Sequence, residues 1–251
     1  MSSSALPPLI AVVGCDGSGK STITDRLQNW LAAYHPTVTC HLGKQSGNMG
    51  RALAKIPLIG PRLERSIQAK AKTAQTSAGP SPVTAIGIYA FTLRRVRRFQ
   101  RMMKLRSAGN LIIADRFPQV EVPGPMDGPG LGAAKNTGLP AWLARRERRH
   151  FEAMVAHQPD LILRLNVSLD MAFARKPDHV RASLARKIDD LSRLDFSGAP
   201  IVEINADDPL EQVIAHAKAA VSDMLAWRYG LSVSANDAAD AAVAAETTRT
   251  E

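Results

Sequence analysis

Five short apolar runs punctuate the chain: Leu9–Val13, Val38–Leu42, Leu111–Ala114, Leu161–Val167 and Ile201–Ile204. Leu9–Val13 is a short buried-strand run, and the other four read as the second to fifth strands. Between them, apolar residues recur at helical intervals. Ser21–Tyr34 places Ile23, Leu27, Trp30 and Leu31 on one face. Val83–Ser107 has an approximate inward stripe of Ile86, Ala90, Leu93, Val96 and Met103, and Gly109 ends it as a glycine past a helix C-terminus does. Ala141–His157 turns Leu143, Phe151, Met154 and Val155 inward, and further helices are predicted over Leu169–Arg175, His179–Leu194 and Leu210–Tyr229. Strands alternating with helices predict an α/β fold: a five-stranded parallel sheet with helices on both faces, a three-layer α/β/α arrangement. Such sheets bind ligands at the carboxyl ends of their strands.

Other stretches lack either period. Residues 1–8 read as an N-terminal extension. Residues 43–82 mix Gly, Pro, Ser, Lys and Arg and read as a mobile basic insertion, and 118–139 as a Gly/Pro-rich loop. Residues 231–251 are rich in Ala and acid and read as a disordered tail. No internal repeat is visible. The 251 residues, 45% of them hydrophobic, suit one α/β domain with appendages; with aromatics at only 5%, aliphatic side chains must fill the core. The net charge of +9 favours polyanionic partners. The two cysteines, Cys15 and Cys40, form neither a disulfide framework nor a metal-ligand spacing and read as reduced thiols. No apolar run approaches the ~18 residues needed to span a bilayer, and the N-terminus lacks a signal-peptide pattern, so a cytoplasmic protein is expected.

The chemistry concentrates after the first strand. Gly14-Cys-Asp-Gly-Ser-Gly-Lys-Ser21 fits G-x-x-x-x-G-K-[ST] between a strand and a helix, the phosphate loop of a P-loop NTPase. Gly14, Gly17, Ser18 and Gly19 let the backbone wrap a phosphate with its N–H groups turned inward, and the helix behind adds its positive end. Lys20 can follow charge on the β- and γ-phosphates of ATP, and the Ser21 hydroxyl, followed by Thr22, is placed to coordinate Mg²⁺. Asp16 sits inside the loop, where a carboxylate would repel phosphate; it is either a turn-forming residue or one that faces an acceptor hydroxyl. Asp115 closes an apolar strand and can hold Mg²⁺ or cap the next turn. Arg116 either bridges donor and acceptor phosphates or lies on the surface.

Gly14–Thr22 resembles the phosphate loop of the thymidylate kinase family. Asp115-Arg116-Phe117 is similar to that family's Asp-Arg-aromatic motif, and Arg94 falls at the position from which the family grips the acceptor's phosphate. Pro159-Asp-Leu161 resembles the entry to the next strand, Arg175 the arginine opening the lid, and Asn205-Ala-Asp-Asp-Pro209 the loop that cradles adenine, with Ala206 and Asp207 at its centre. The resemblance implies a P-loop kinase-like domain over 9–230 with a candidate lid over 175–187. Within that lid Arg175, Lys176, Arg181, Arg186 and Lys187 would supply cations, Arg175 and Arg181 as catalytic residues, although a solvated helix face has the same pattern. After Phe117, Pro118–Gly130 replaces the family's acceptor-base motif, which leaves the acceptor open. Arg97, Arg98 and Arg101, near Arg94, read as a solvated face, as do Arg145, Arg146, Arg148 and Arg149; His150 and His157 have no partner at a telling spacing. The expected partners are ATP with Mg²⁺ and a small anionic or nucleoside-like acceptor. Nucleic acid is not expected, and a homodimer is compatible with the sequence. The alternatives are an NTPase switch that hydrolyses nucleotide, and a reduced kinase fold that only binds nucleotides or polyanions.

Overall fold

A computed structural model describes residues 6–43, 80–132 and 137–234. The sheet consists of β1 (Leu9–Gly14), β2 (Thr37–His41), β3 (Leu111–Asp115), β4 (Leu161–Asn166) and β5 (Ile201–Asn205). Its spatial order is β2-β3-β1-β4-β5, and all four pairings are parallel. The described helices are α1 (Lys20–Ala32), α2 (Pro82–Ser107), α3 (Gly138–Val155), α4 (Leu169–Arg175), α5 (Arg181–Ser192) and α6 (Leu210–Tyr229). Strand order reverses at β1. The chain steps to β2 and β3 on one side, then crosses to β4 and β5 on the other. That reversal opens a crevice at the carboxyl end of β1, where open α/β sheets bind their ligands.

The described residues divide into two units. The first holds residues up to 41, 101–117 and from 158 onward; the second holds 42–100 and 118–157. In the first unit every residue of β1 is buried. Ile10, Val12, Leu111, Ile113, Leu161, Leu163 and Leu165 form one core with Ile23, Leu27 and Leu31 of α1 and Val213, Ala217 and Val221 of α6. Their neighbours Leu9, Ala11, Ile112, Ala114 and Ile162 alternate to the opposite face and are fully buried too. This explains why Leu9–Val13 and Leu111–Ala114 read as unbroken apolar runs; the edge strands β2 and β5 are only partly buried and carry polar residues such as Thr39 and Glu203.

At the amino end of the sheet Asp160 acts as a clamp. Its Oδ2 accepts from the Leu9 N–H at 2.8 Å and from Arg106 Nη2 at 2.8 Å, and its Oδ1 lies 3.1 Å from Arg228 Nε. Arg106 also donates to the Pro7 carbonyl at 2.6 Å, which ties the chain before β1 to the sheet.

The second unit is organised by polar side chains as much as by apolar ones. Glu147 of α3 is buried and accepts from Thr92 Oγ1 at 2.7 Å, Gly130 N at 3.0 Å and Leu131 N at 2.7 Å. Arg95 forks onto Asp127, reaching its carbonyl at 2.8 Å and its Oδ1 at 2.6 Å. Gln119 bonds Val122 and Met126 within the same loop. The described part of the Gly/Pro-rich loop is therefore a built structure, with Gln119, Met126, Asp127 and Leu131 buried. The loop also gives way to α3 at Gly138, earlier than the helix expected from Ala141.

Two expectations need correction. The buried stripe of α2 is Ala85, Thr92, Arg95, Phe99, Met102 and Arg106; Ile86 is 52% exposed. Both stripes have helical spacing, but the true one contains two arginines and a threonine, which are tolerated inside because Asp127, Asp160 and Glu147 pair with them. The tail expected from residue 231 does not begin there. Val233 is buried in the core of the first unit, its carbonyl accepts from Ser222 Oγ at 2.8 Å, and the Ser234 carbonyl accepts from Trp30 Nε1 at 2.8 Å. Residues 235–251, and 44–79 of the expected insertion, lie outside the described residues. A chain ending at Leu231 should melt below one ending at Ser234. A buried valine and two hydrogen bonds are together worth about 2–4 kcal/mol, or roughly 5–10 °C for a chain of this size. Equal melting temperatures in calorimetry would contradict the packing of this segment. No described helix is long and apolar enough to cross a membrane.

Candidate functional site

The loop after β1 is closed by contacts that admit only glycine. A Cβ on Gly14 would lie 2.4 Å from Ser18 Oγ and 3.0 Å from the Leu165 carbonyl; Gly17, at φ +87°, would press a Cβ to 2.8 Å from the Ala172 carbonyl. Gly19, at φ +82°, is the N-cap of α1, and neither a side-chain cap nor an acidic residue occupies the first turn. The uncapped N–H groups and the positive end of the helix make an anion site. Ser18 Oγ is buried with no hydrogen-bond partner among the described residues, so a polar group inside the loop awaits one. Lys20 is buried, and its Nζ donates to the Cys15 carbonyl at 2.5 Å. Burial foremost, and then the charge of Arg116, bring its ammonium down to about 8, against the pull of Asp16 and Asp115. Ser21 and Thr22 lie exposed in the first turn of α1. Burial raises the Cys15 thiol above its ordinary range, as it does the Cys40 thiol, and both cysteines are free.

Asp16 draws the cations of the first unit together. Its Oδ1 lies 3.1 Å from Arg116 Nη2, its Oδ2 is bonded by Lys187 Nζ of α5, and His179 Nε2 stands 3.8 Å away. Burial would raise this carboxyl, but the Lys187 hydrogen bond and charge, with those of Arg116 and Lys20, hold it at about 2. The residue is thus an anion inside a cationic cluster rather than a solvated turn residue. Arg116 adopts φ 69°, a left-handed conformation that costs a non-glycine residue about 1 kcal/mol. Its N–H still bonds the Val12 carbonyl at 3.0 Å, as the parallel ladder requires, and the left-handed φ bends the chain at the end of β3. Asp115 pairs in register with Val12 of β1 on one side and His41 of β2 on the other. His41 Nδ1 lies 2.8 Å from Asp115 Oδ2, while Asp115 Oδ1 is buried without a hydrogen-bond partner among the described residues.

The candidate lid residues separate. Arg175 ends α4 and donates to the carbonyls of Gly17 at 3.2 Å and Ala206 at 3.0 Å, stapling the phosphate loop to the loop after β5. Arg181 turns to Asp170 and stacks over Phe173. Of the five lysine and arginine side chains over 175–187, Lys187 is the one that bonds the carboxylate of the phosphate loop. Ala206 is buried and its N–H bonds the Asn166 carbonyl at 2.6 Å. The Asp207 carboxylate accepts from Ser168 N at 3.1 and 3.2 Å, which fixes the start of α4 against that loop.

Two relatives share most of this chain. The uncharacterized ATP-binding protein YghR of Escherichia coli K12 is 41% identical over 221 residues, covering 86% of this chain and 88% of its own. The uncharacterized ATP-binding protein YghS of the same strain is 42% identical over 212 residues, covering 82% and 89%. The chain belongs to the family of YghR and YghS. No family model matches it. Among solved structures, the deoxyadenosine kinase of M. mycoides with bound dATP is 14% identical with a TM-score of 0.48, over 85% of this chain and 98% of that one. At that distance the likeness decides neither substrate nor mechanism.

For this YghR-family chain, the first unit gathers Asp16, Lys20, Asp115 and Arg116 around one loop. Arg94 belongs to the second unit, on an exposed turn of α2, and makes no hydrogen bond or ion pair with a described residue. Its neighbour Arg95, by contrast, is consumed by Asp127. Sequence reasoning missed His41 and His179, and ranked Lys187 behind Arg175 and Arg181. No local signal marked His41: its pairing with Asp115 follows from the order and register of β2 beside β3, and the sequence pattern carried that strand one residue further, to Leu42.

Proposed function

We propose that the protein is a P-loop kinase that transfers the γ-phosphoryl group of ATP to a small anionic or nucleoside-like acceptor. The observation that carries this reading is the convergence of Lys20, Arg116 and Lys187 on the phosphate loop, with Asp16 as their common counter-ion. Transfer spreads negative charge over the moving phosphoryl oxygens, so catalysis consists of positioning and of cations that are already in place. The names of YghR and YghS support ATP as the nucleotide.

In this mechanism the loop's N–H groups and Lys20 bind the donor phosphates. The acceptor oxygen forms a bond to the γ-phosphorus as the bond to the ADP oxygen breaks. ADP departs, and the proton of a hydroxyl acceptor passes to solvent. Arg116 and Lys187 stabilise charge on the phosphoryl group once phosphate displaces them from Asp16, and Asp16 is then free to accept from the acceptor. Ala206 and Asp207 border the base of the donor, with Arg175 fixing that loop to Gly17. Mg²⁺ fits the residues present: the exposed Ser21 hydroxyl and Asp115 Oδ1, which has no hydrogen-bond partner among the described residues, are oxygen donors, and phosphate and water would supply the remaining ligands. When bound it would neutralise donor phosphate charge.

The test is transfer from ATP measured across a panel of nucleosides, nucleotides and small phosphorylated metabolites, beside hydrolysis without acceptor. Hydrolysis unaffected by any acceptor would favour an NTPase switch; binding without turnover would favour a reduced kinase fold. Arg94 is assigned to the acceptor. Arg94→Ala should therefore raise the acceptor KM or lower kcat at least about tenfold, the worth of a charged hydrogen bond, with ATP affinity nearly unchanged. Arg94→Lys should restore only part, since an ammonium cannot fork onto phosphate. Equal weakening of ATP binding would remove Arg94 from the acceptor.

A further inference from the structure

We propose that His41 is a positioning residue that orients Asp115 toward the Mg²⁺ of the bound nucleotide, an inference that rests on the kinase reading above. Three observations carry it. The parallel register sets the last residue of β2 directly beside the last residue of β3, so His41 and Asp115 are neighbours by construction of the sheet. Nδ1 of His41 stands 2.8 Å from Oδ2 of Asp115; an ionised carboxylate has only lone pairs to offer, so Nδ1 carries the hydrogen in this contact. The other oxygen, Oδ1, is buried and has no hydrogen-bond partner among the described residues.

A buried carboxylate oxygen without a partner is costly, and native structures rarely keep one that has no ligand to serve. The terminal torsion of an aspartate is soft, so without a second contact its two oxygens would exchange places. His41 removes that freedom. It engages Oδ2 from the side of β2 and reserves Oδ1 for a cation or its water. Asp115 pairs with Val12, two residues before the phosphate loop opens at Gly14, and its neighbour Arg116 reaches Asp16 of that loop at 3.1 Å, which places the carboxylate beside the loop. A side chain that holds a metal-binding carboxylate in this way typically changes metal affinity about 10- to 100-fold when it is removed.

The experiment uses the full chain with ADP and Mn²⁺, whose binding is read by electron paramagnetic resonance, and measures ADP affinity in EDTA by calorimetry. His41→Phe keeps an aromatic ring and deletes the donor. His41→Asn keeps an N–H donor attached at the same position as Nδ1. We expect His41→Phe to weaken Mn²⁺ binding in the ADP complex at least about tenfold, His41→Asn to recover most of the loss, and metal-free ADP affinity to stay within about twofold in both. A loss under about threefold in His41→Phe overturns the inference. So does an equal loss in the two variants, or a matching fall in metal-free ADP affinity, since each would show that the Nδ1 donor is not what matters. Asp115→Ala separates the two levels of the argument. If it weakens Mn²⁺ and His41→Phe does not, only the positioning role fails. If Asp115→Ala changes nothing, Asp115 holds no cation, and the metal assignment in the proposed function fails together with this inference.

Discussion

Lys20→Met should reduce phosphoryl transfer by about 10²- to 10³-fold, the cost of deleting one preorganised charge-stabilising donor. Lys20 is buried behind the loop and bonded to the Cys15 carbonyl, so its ammonium is held in place before any ligand arrives. Its surroundings have already lowered the ammonium toward about 8, chiefly by burial, and a polyphosphate arriving at the loop would restore the lost stabilisation of the charge. Methionine fills nearly the same volume without the charge. The variant should therefore fold, and its melting temperature should lie within a few degrees of the parent. Calorimetry with ATP and single-turnover transfer would measure the two losses separately. Unchanged ATP affinity together with unchanged turnover would remove the phosphate-loop assignment, and with it the kinase reading.

The second large effect is on stability alone. Asp160→Ala should cost about 3–5 kcal/mol, because it leaves Arg106 a buried charge without its carboxylate and the Leu9 N–H without its acceptor. For a chain of this length that is roughly 10 °C or more in melting temperature. Asp160 sits where β4 begins, at the opposite end of the strands from the phosphate loop, so ATP affinity measured well below the transition should be unchanged. Asp160→Asn keeps an oxygen for the Leu9 N–H and loses the charge, and should fall between parent and alanine variant. A melting curve for Asp160→Ala that superimposes on the parent would show that the clamp contributes nothing. A large loss of ATP affinity in the folded variant would show that its effect reaches the site.

The sequence by itself determined most of the elements, the fold class and the glycines of the loop after β1. Leu9–Val13 and Leu111–Ala114 read as strands because they are apolar throughout, as strands buried on both faces are, a property written locally. Gly14, Gly17 and Gly19 were legible because positive φ and close backbone approach admit almost no other residue. Leu210–Tyr229 was found to the residue by helical periodicity. Tertiary structure alone decided the rest. The periodicity of α2 offered two stripes of similar spacing, and only the carboxylates of Asp127 and Asp160 show that the stripe with Arg95 and Arg106 is the buried one. The basic segment over 175–187 offered five cations. Which of them meets Asp16 depends on how α5 packs, across a sequence separation of 171 residues, and the answer was Lys187. His41 and Asp115 are 74 residues apart, and nothing in either local sequence announces the other. The reason is common to these cases: propensity, periodicity and backbone strain act over a few residues and can be read along the chain. Pairing of charges depends on strand order and helix rotation, which are settled only when the whole core packs.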